Sequence, residues 1–275
     1  MNFSIESAAN PRIKELVKLR ESPKRRKEHG LFFVEGISEL KSLVNSGREI
    51  KEIYYSFRAI EKDEQNKVLI EFQNLGIQTV EISPVAFGKA SYRSAEYGWI
   101  GLVNTWDIGL DTINLSESGA VVVLDEVEKP GNLGAILRSV EALGGAGVIL
   151  SEPALDFFNP NVVRSSRGLM GSLPIAKGTK QEVIQWLKTS KRPIWATSSH
   201  TTNFLGKQKM PDSPVLIFGS EKKGLGQFWH NQELGLDWVK IPMKGTASSL
   251  NLNASVVCLL MNTTVSTKIK ELQAL

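Results

Sequence analysis

Residues 121–124, Val-Val-Val-Leu, limit the folds open to this chain more than any other segment. A strand that faces water on one side alternates apolar and polar residues, whereas this run has no polar face. Such a strand is typical of the centre of a parallel sheet that is covered on both faces by helices. The run therefore predicts an α/β domain with a buried parallel sheet.

The chain on either side of this run also alternates strands and helices. Short apolar strands are predicted at residues 148–150, 194–197, 215–218 and 238–241, with helical segments between them. In a sheet of this kind the ligand lies beyond the carboxyl ends of the strands, so the loops there are where a site is expected.

The first hundred residues form a second alternating series, which predicts a smaller α/β domain with its own core. Asn10 followed by Pro11 is typical of a helix start. Residues 105–119 lack clean periodicity and end polar, which favours a linker. The predicted division is a domain at 1–104, a linker at 105–119 and a second domain at 120–275.

Composition is that of a soluble globular protein. Of 275 residues, 41% are hydrophobic and 23% charged, and no apolar run approaches the roughly 18 residues that a membrane helix needs. Charged residues come too early for a signal peptide, and a single cysteine, Cys258, excludes an internal disulfide framework. Three widely spaced histidines form no metal-ligand pattern. We therefore expect a cytoplasmic protein with no membrane partner and no metal site.

The net charge of +4 and the pI near 9.0 permit a nucleic-acid partner without requiring one. Basic residues crowd the end of the first predicted helix and the following loop, at residues 18–27. Such a run is either a solvated face or a patch that contacts phosphates, and both interpretations stay open at this point.

Three loops at predicted strand ends carry unusual residues. The first, residues 128–138, has Gly131 and Gly134, an Asn132 placed to cap the next helix, and Arg138 about one turn into that helix. It matches neither a dinucleotide-binding glycine fingerprint nor a phosphate-binding P-loop. Arg138 is either a site residue or an ordinary surface arginine beside apolar neighbours.

The second loop, residues 219–226, has three glycines in eight positions, which indicates special backbone angles or a close contact. Its Glu221 either orients an arginine or is a solvated carboxylate beside two lysines. The third, residues 241–260, passes from a strand end through small polar residues into an apolar helix. Ser248, Ser249 and Asn251 exceed what capping that helix requires, which favours a ligand at its mouth.

In this order the three loops resemble the motifs of SpoU/TrmH-type RNA ribose 2′-O-methyltransferases. The motifs are Asn132-x-Gly134…Arg138, Phe218-Gly219-x-Glu221-x-x-Gly224-Leu225 and Ile241-Pro242-Met243…Ser249-Leu250-Asn251. The first hundred residues are similar to that family's accessory substrate-binding domain, which resembles ribosomal protein L30e. That likeness lies in Asn10-Pro11-Arg12-Ile13-Lys14 and Phe33-Val34-Glu35-Gly36. One departure is Asn253, where the family commonly has serine, and it bears on specificity more than on activity.

The resemblance implies the SPOUT fold, a parallel-sheet α/β domain with a deep trefoil knot, next to a smaller N-terminal L30e-like α/β domain. It also implies a homodimer through the knotted domain and S-adenosylmethionine bound in the knot. The substrate would be RNA, ribosomal rather than transfer RNA by analogy with relatives that carry such accessory domains. The implied catalytic residues are Asn132, Arg138, Glu221, Ser249 and Asn251, and the implied cofactor-binding residues are Thr197, Gly219, Ile241 and Leu250. The residues expected to bind RNA are Arg12, Lys24, Arg25, Arg26 and Lys27.

Methyl transfer from a sulfonium to a hydroxyl is an in-line displacement that needs alignment and removal of one proton. Because an arginine is effectively always protonated, we expect Arg138 to stabilise the developing alkoxide while a phosphate or solvent takes the proton. Glu221 would orient that guanidinium, and Asn132 and Ser249 would place the ribose. The alternatives are a transfer-RNA methyltransferase, a non-catalytic RNA-binding or ribosome-assembly protein on the same fold, and a nucleotide-dependent oxidoreductase, which lacks its glycine fingerprint here.

Overall fold

The computed structural model describes residues 4–57, 62–230 and 234–273 of the chain. They divide into two compact units, Met1–Trp106 with Asp156–Ser172, and Asp107–Leu155 with Leu173–Leu275. The segment Asp156–Ser172 packs with the first unit, although it lies inside the range 120–275 that the sequence suggested as one domain. Each unit has its own sheet and its own hydrophobic core.

Helices and strands alternate along most of the described chain. The helices are α1 (Pro11–Glu21), α2 (Pro23–His29), α3 (Ile37–Asn45), α4 (Lys62–Asn74), α5 (Pro84–Ala90), α6 (Pro130–Ala142), α7 (Pro160–Ser166), α8 (Lys180–Thr189), α9 (Gln227–His230) and α10 (Leu252–Gln273). The strands are β1 (Leu31–Glu35), β2 (Ile50–Ser56), β3 (Gln78–Glu81), β4 (Gly98–Asn104), β5 (Val121–Asp125), β6 (Gly147–Ser151), β7 (Ile175–Gly178), β8 (Ile194–Thr197), β9 (Val215–Phe218) and β10 (Asp237–Val239).

The sheet of the first unit is mixed, in the order β1-β4-β2-β3. β4 is antiparallel to both of its neighbours, and β2 is parallel to β3. α1 buries Ile13, Leu16 and Leu19 in the core of this unit. It begins as predicted, because the Asn10 side chain accepts a hydrogen bond from the Arg12 amide at 2.9 Å. The smaller α/β unit is confirmed.

The sheet of the second unit has the order β10-β8-β9-β5-β6-β7, and every neighbouring pair is parallel. β5 lies between β9 and β6 with all five of its residues buried, as its apolar run predicts. α6 packs against β6 and α10, and α8 packs against β6 and β7. The predicted parallel-sheet α/β unit is confirmed, and its loops after the strands meet at one edge.

Two local predictions are wrong, each for a local reason. Residues 24–27, expected in a loop, lie in α2, because Ser22 caps this helix by accepting from the Arg25 amide at 3.2 Å. Asn132, expected to cap a helix, lies inside the first turn of α6, which begins at Pro130. Proline suits the first helical position because its missing N–H is not needed there. The Asn132 side chain is therefore free to bond elsewhere.

Candidate active site

A cleft of about 740 Å³ opens at the carboxyl edge of the parallel sheet. It is lined by the loops after β8, β9 and β10, the start of α6 and the turn before α10. The four predicted cofactor residues, Thr197, Gly219, Ile241 and Leu250, all belong to this lining. A cleft of this volume is in the range that holds small molecules and cofactors.

The loop after β9 is folded back on itself. Gly219 has no room for a side chain, because a Cβ there would lie 2.0 Å from the carbonyl carbon of Gly224. Gly224 has a left-handed φ of 64° and donates to the Ser220 carbonyl at 2.9 Å. The buried Ser220 hydroxyl accepts from the Lys223 amide at 3.2 Å. The fold of the loop itself therefore requires Gly219 for space and Gly224 for its φ, whereas Gly226 has open space around it, and the loop gives Glu221 a fixed backbone position.

One set of hydrogen bonds joins all three motifs. Asn132 Nδ2 donates to Glu221 Oε1, and Asn132 Oδ1 accepts from Asn251 Nδ2 at 3.3 Å. Asn251 Oδ1 accepts from the Asn253 amide at 2.9 Å and so caps α10, as the sequence predicts. Glu221 and Asn251 are 89 and 119 positions from Asn132 in the chain, so these contacts exist only because folding brings the loops together.

The remaining predicted catalytic residues lie in different places. Ser249 is exposed and belongs to the cleft lining. Arg138 is outside the lining: it comes six residues after Asn132 on α6, about 9 Å along the helix axis and about 120° around it. Its side chain is exposed and has no hydrogen bond or ion pair to the described part of the chain. The cleft thus brings Asn132, Glu221, Ser249 and Asn251 together and leaves Arg138 on the surface.

Asn253, the departure from the family pattern, has a contact of its own. Its Oδ1 accepts from Ser139 Oγ at 2.9 Å, and Ser139 follows Arg138 on α6. The bond ties the start of α10 to the middle of α6, whose surfaces already pack together. This role depends on the pairing of two helices that are distant in the chain, so the sequence carried no signal for it.

The cleft also holds histidines and lysines that the sequence did not single out. His230 is stacked on Trp238, with ring centroids 4.0 Å apart and an interplanar angle of 5°. The others are His200, Lys129, Lys222, Lys223 and Lys240. Lys222 and Lys223 directly follow Glu221, which was a usable signal, whereas residues 200, 230 and 240 join the cleft only through the meeting of separate loops.

In the first unit, Arg26 is enclosed. It is 2% exposed, and its guanidinium donates to Asp156 Oδ2 at 2.6 Å and to the carbonyls of Leu19 at 2.6 Å and Arg20 at 2.9 Å. A buried charge with this many partners is part of the structure of its unit and cannot reach a ligand. The expectation that Arg26 binds RNA is therefore corrected.

Arg12 and Arg25 are paired with carboxylates of the same unit. Arg25 reaches both oxygens of Glu15 at 2.7 Å, and Arg12 bonds Glu52 and the Tyr54 hydroxyl. The hydrogen bond from Arg25 lowers the pKa of Glu15, and burial, followed by the hydrogen bond to Glu52, raises the pKa of Tyr54. These two arginines are already engaged before any ligand binds.

Lys24 and Lys27 present their charges to solvent. The Lys24 side chain is 85% exposed, and its ammonium is 3.9 Å from Glu28. Lys27 is exposed and has no ion pair or hydrogen bond among the residues that the structure describes. Of the predicted RNA-binding residues, these two are the most accessible.

Among residues 4–57, 62–230 and 234–273, no group of three or more His, Cys, Asp and Glu side chains is arranged to hold a metal ion. None of the helices there combines the length and the hydropathy of a membrane span.

Two protein-family models match this chain. The SpoU rRNA Methylase family model matches residues 119–261, which are 143 of the 275 residues and include all three motifs. The MRM3-like substrate binding domain model matches residues 10–101. The two matches do not overlap.

Individual relatives align over most of the chain. The 23S rRNA (uridine(2479)-2′-O)-methyltransferase of Streptomyces viridochromogenes is 26% identical, covering 89% of this chain and 86% of that protein. The 23S rRNA (guanosine(2553)-2′-O)-methyltransferase RlmP of Bacillus subtilis (strain 168) is also 26% identical, covering 93% and 96%. A crystal structure of an AdoMet-bound rRNA methyltransferase from Sinorhizobium meliloti has a TM-score of 0.82 at 26% identity, covering 95% of this chain and 97% of that one.

Proposed function

Because this chain belongs to the SpoU rRNA methylase family, we propose that its cleft transfers a methyl group from S-adenosylmethionine to a ribose 2′-hydroxyl of ribosomal RNA. The chain is an RNA 2′-O-ribose methyltransferase of the SPOUT fold, and the resemblance carried by its three motifs is confirmed. The observation that carries the choice of site is the hydrogen bonding that links Glu221, Asn132 and Asn251. The two relatives named above act on different nucleosides, so the proposal is limited to the ribose hydroxyl that their names share.

The cleft fits S-adenosylmethionine in size and chemistry. Its lining combines backbone groups at strand ends with apolar side chains such as Leu225 and Val239, which suits a ligand with a flat base and a charged tail. When bound, the cofactor supplies an electrophilic methyl group. We assign its binding to Thr197, Gly219 and the residues at 241 and 250, largely through backbone groups. The Thr197 hydroxyl already donates to the Ile217 carbonyl at 3.2 Å, which supports a backbone role.

The ribose is held at the end of the cleft where the three motifs meet. Asn132 and Asn251 have oriented amides there, and Ser249 adds an exposed hydroxyl. Glu221 Oε1 is engaged by Asn132, while Oε2 has no hydrogen-bond donor among the described residues. That oxygen is the acceptor that we assign to the guanidinium of Arg138.

We extend the proposal to a homodimer in which Arg138 comes from the second copy. Arg138 is exposed and outside the cleft of its own chain, which supports a source from another chain. Its fixed positive charge would stabilise the alkoxide that forms as the hydroxyl loses its proton to a phosphate or to solvent. Arg138→Lys keeps the charge but loses the planar fork, so we expect a roughly 100-fold slower transfer. Near-full activity in that variant, with normal cofactor binding, would remove this role.

Three further parts of the proposal concern the rest of the chain. The knot is proposed for the C-terminal segment, and it is supported by the path of residues 241–251 through the cleft lining into α10, which packs on α6.

Phosphate contacts in the first unit are assigned to Lys24 and Lys27, with smaller contributions from Arg12 and Arg25. The cytoplasm is the proposed location, because ribosomal RNA is the proposed substrate.

A labelled transfer reaction tests the proposed function. Purified protein is incubated with methyl-labelled S-adenosylmethionine and unmodified ribosomal RNA, and with transfer RNA in parallel. A 2′-O-methyl group protects the adjacent phosphodiester from alkali, so the label is expected in alkali-resistant dinucleotides from ribosomal RNA. Label in mononucleotides would indicate base methylation, and label in transfer RNA alone would change the substrate. No label in either RNA would favour a non-catalytic RNA-binding protein.

A further inference from the structure

The ribose end of the cleft carries lysines that the proposed reaction does not use. The described lining has four lysines, at positions 129, 222, 223 and 240, and one carboxylate, Glu221. We propose that Lys129, Lys222 and Lys223 form a phosphate-binding rim that holds the phosphodiester groups on either side of the target ribose. This inference rests on the proposed function, because the ribose position defines where those phosphates lie.

The three rim lysines start from backbone segments that meet at the proposed ribose position. Lys129 is three residues before Asn132, and Lys222 and Lys223 directly follow Glu221. Asn132 and Glu221 are hydrogen-bonded to each other, so both segments end at the same place. A ribose at that place has one phosphate on each side, within reach of a flexible four-carbon stem. Position 240 is next to Ile241 on the cofactor side and is not part of the rim.

The rim charges are available to a ligand. Lys129 and Lys223 are exposed and have no carboxylate within 4.0 Å in the described part of the chain. The pKa of Glu126 is lowered mainly by its hydrogen bond from Lys180 and also by the more distant charge of Lys223. Lys222 is 72% exposed, with its ammonium 3.0 Å from Glu128 Oε2. Such an exposed pair contributes little, so a phosphate can replace the carboxylate at small cost.

The backbone beneath two of these lysines is fixed before RNA binds. The Lys223 amide donates to the buried Ser220 hydroxyl, and Gly224 closes the turn by donating to the Ser220 carbonyl. Binding therefore orders only the side-chain stems, which limits its entropic cost. An ammonium binds phosphate as a point charge and makes no contact that distinguishes one base from another. The affinity that the rim adds for RNA therefore depends on salt concentration and not on RNA sequence.

The test is the salt dependence of RNA binding by the full-length protein. The probe is a mixed-sequence single-stranded oligoribonucleotide, titrated at several salt concentrations against the unsubstituted protein, Lys129→Gln, Lys222→Gln, Lys223→Gln and the triple variant. Each single change is expected to lower the slope of log affinity against log salt by about 0.7, and the triple change by about 2. Lys129 precedes α6 without a side-chain capping bond, so its replacement leaves that helix start unchanged.

Controls separate a phosphate contact from other causes. Lys188→Gln, at an exposed position of α8 outside the cleft, is expected to leave the slope unchanged. Lys222→Arg and Lys223→Arg are expected to retain it, and S-adenosylmethionine affinity by calorimetry is expected to be the same in all variants. An unchanged slope in the triple variant overturns the rim, and so does a matching loss of cofactor affinity. Failure of the proposed function is a separate result, since it is seen as no methyl transfer by the unsubstituted protein.

Discussion

The basic run of α2 and the lysine pair after Glu221 look alike in the sequence but differ in the folded chain. In the first region Arg25 is bonded to Glu15, and Arg26 is buried against Asp156. In the second, Lys222 and Lys223 line a cleft and remain exposed, and the ion pair of Lys222 with Glu128 is itself at the surface. The availability of a charge to a ligand therefore depends on how deeply folding buries it and its carboxylate partner, which the number of charges in the sequence does not show.

The largest expected effect on the first region is the loss of Arg26. Arg26→Ala leaves Asp156 and two backbone carbonyls without their donor, so we expect about 3 kcal/mol or more of lost stability. Urea unfolding followed by circular dichroism measures it. Lys27→Ala, one position along the same helix and exposed, is the matched control and should change stability by less than about 0.5 kcal/mol. Equal stabilities for the two variants would mean that Arg26 is not a structural residue.

A moderate effect is expected for the exposed lysines of the same run. Lys24→Gln combined with Lys27→Gln should lower the salt slope of RNA binding by up to about 1.4, since two phosphate contacts are lost from a single strand. Arg25→Gln should change the slope much less, because its guanidinium is already paired with Glu15. If Arg25→Gln lowers the salt slope as much as the double lysine variant does, pairing with a carboxylate does not decide whether a charge is available.

The smallest effect is a pH-dependent change at the Arg25–Glu15 pair. The hydrogen bond from Arg25 lowers the pKa of Glu15 below its ordinary value of 4.5, so the pair stabilises the fold at higher pH and stops doing so as Glu15 becomes protonated. The difference in Tm between the unsubstituted protein and Arg25→Gln is therefore expected to be largest near neutral pH and to close below pH 4.5. For Lys51→Gln, at an exposed strand position, the difference in Tm from the unsubstituted protein should not shrink as the pH falls below 4.5. A difference in Tm that increases as the pH falls would contradict a stabilising pair between Arg25 and ionised Glu15.

Sequence reasoning succeeded where the determining contacts are local. The apolar run of β5 predicts a parallel central strand, and the caps at Asn10 and Asn251 are read from residues two positions apart. The meeting of the three loops follows from the rule that carboxyl ends of parallel strands share an edge. These features need only the neighbouring residues or the topology of the sheet.

Sequence reasoning failed where the determining partner is distant. Arg26 reads as one more surface charge because its partner Asp156 lies 130 positions away. Asn132 reads as a helix cap because its partners Glu221 and Asn251 lie 89 and 119 positions away, and in the structure it lies in the first turn of α6. The bond between Ser139 and Asn253 joins two helices whose packing no local pattern reveals.

The linked site at Asn132 and Glu221 is tested most directly by exchanging the charge between the two positions. Asn132→Asp puts a second carboxylate against Glu221, and we expect methyl transfer to fall about 100-fold with cofactor affinity unchanged. Adding Glu221→Gln restores a donor facing an acceptor and keeps a carbonyl oxygen for Arg138, so the double variant should recover at least about 10-fold of that loss, or about 1.4 kcal/mol. Glu221→Gln alone is measured beside it, because the coupling energy is the difference between the double variant's loss and the sum of the two single losses. A double variant slower than Asn132→Asp alone, with the two losses simply adding, would contradict a site in which these residues act as one hydrogen-bonded unit.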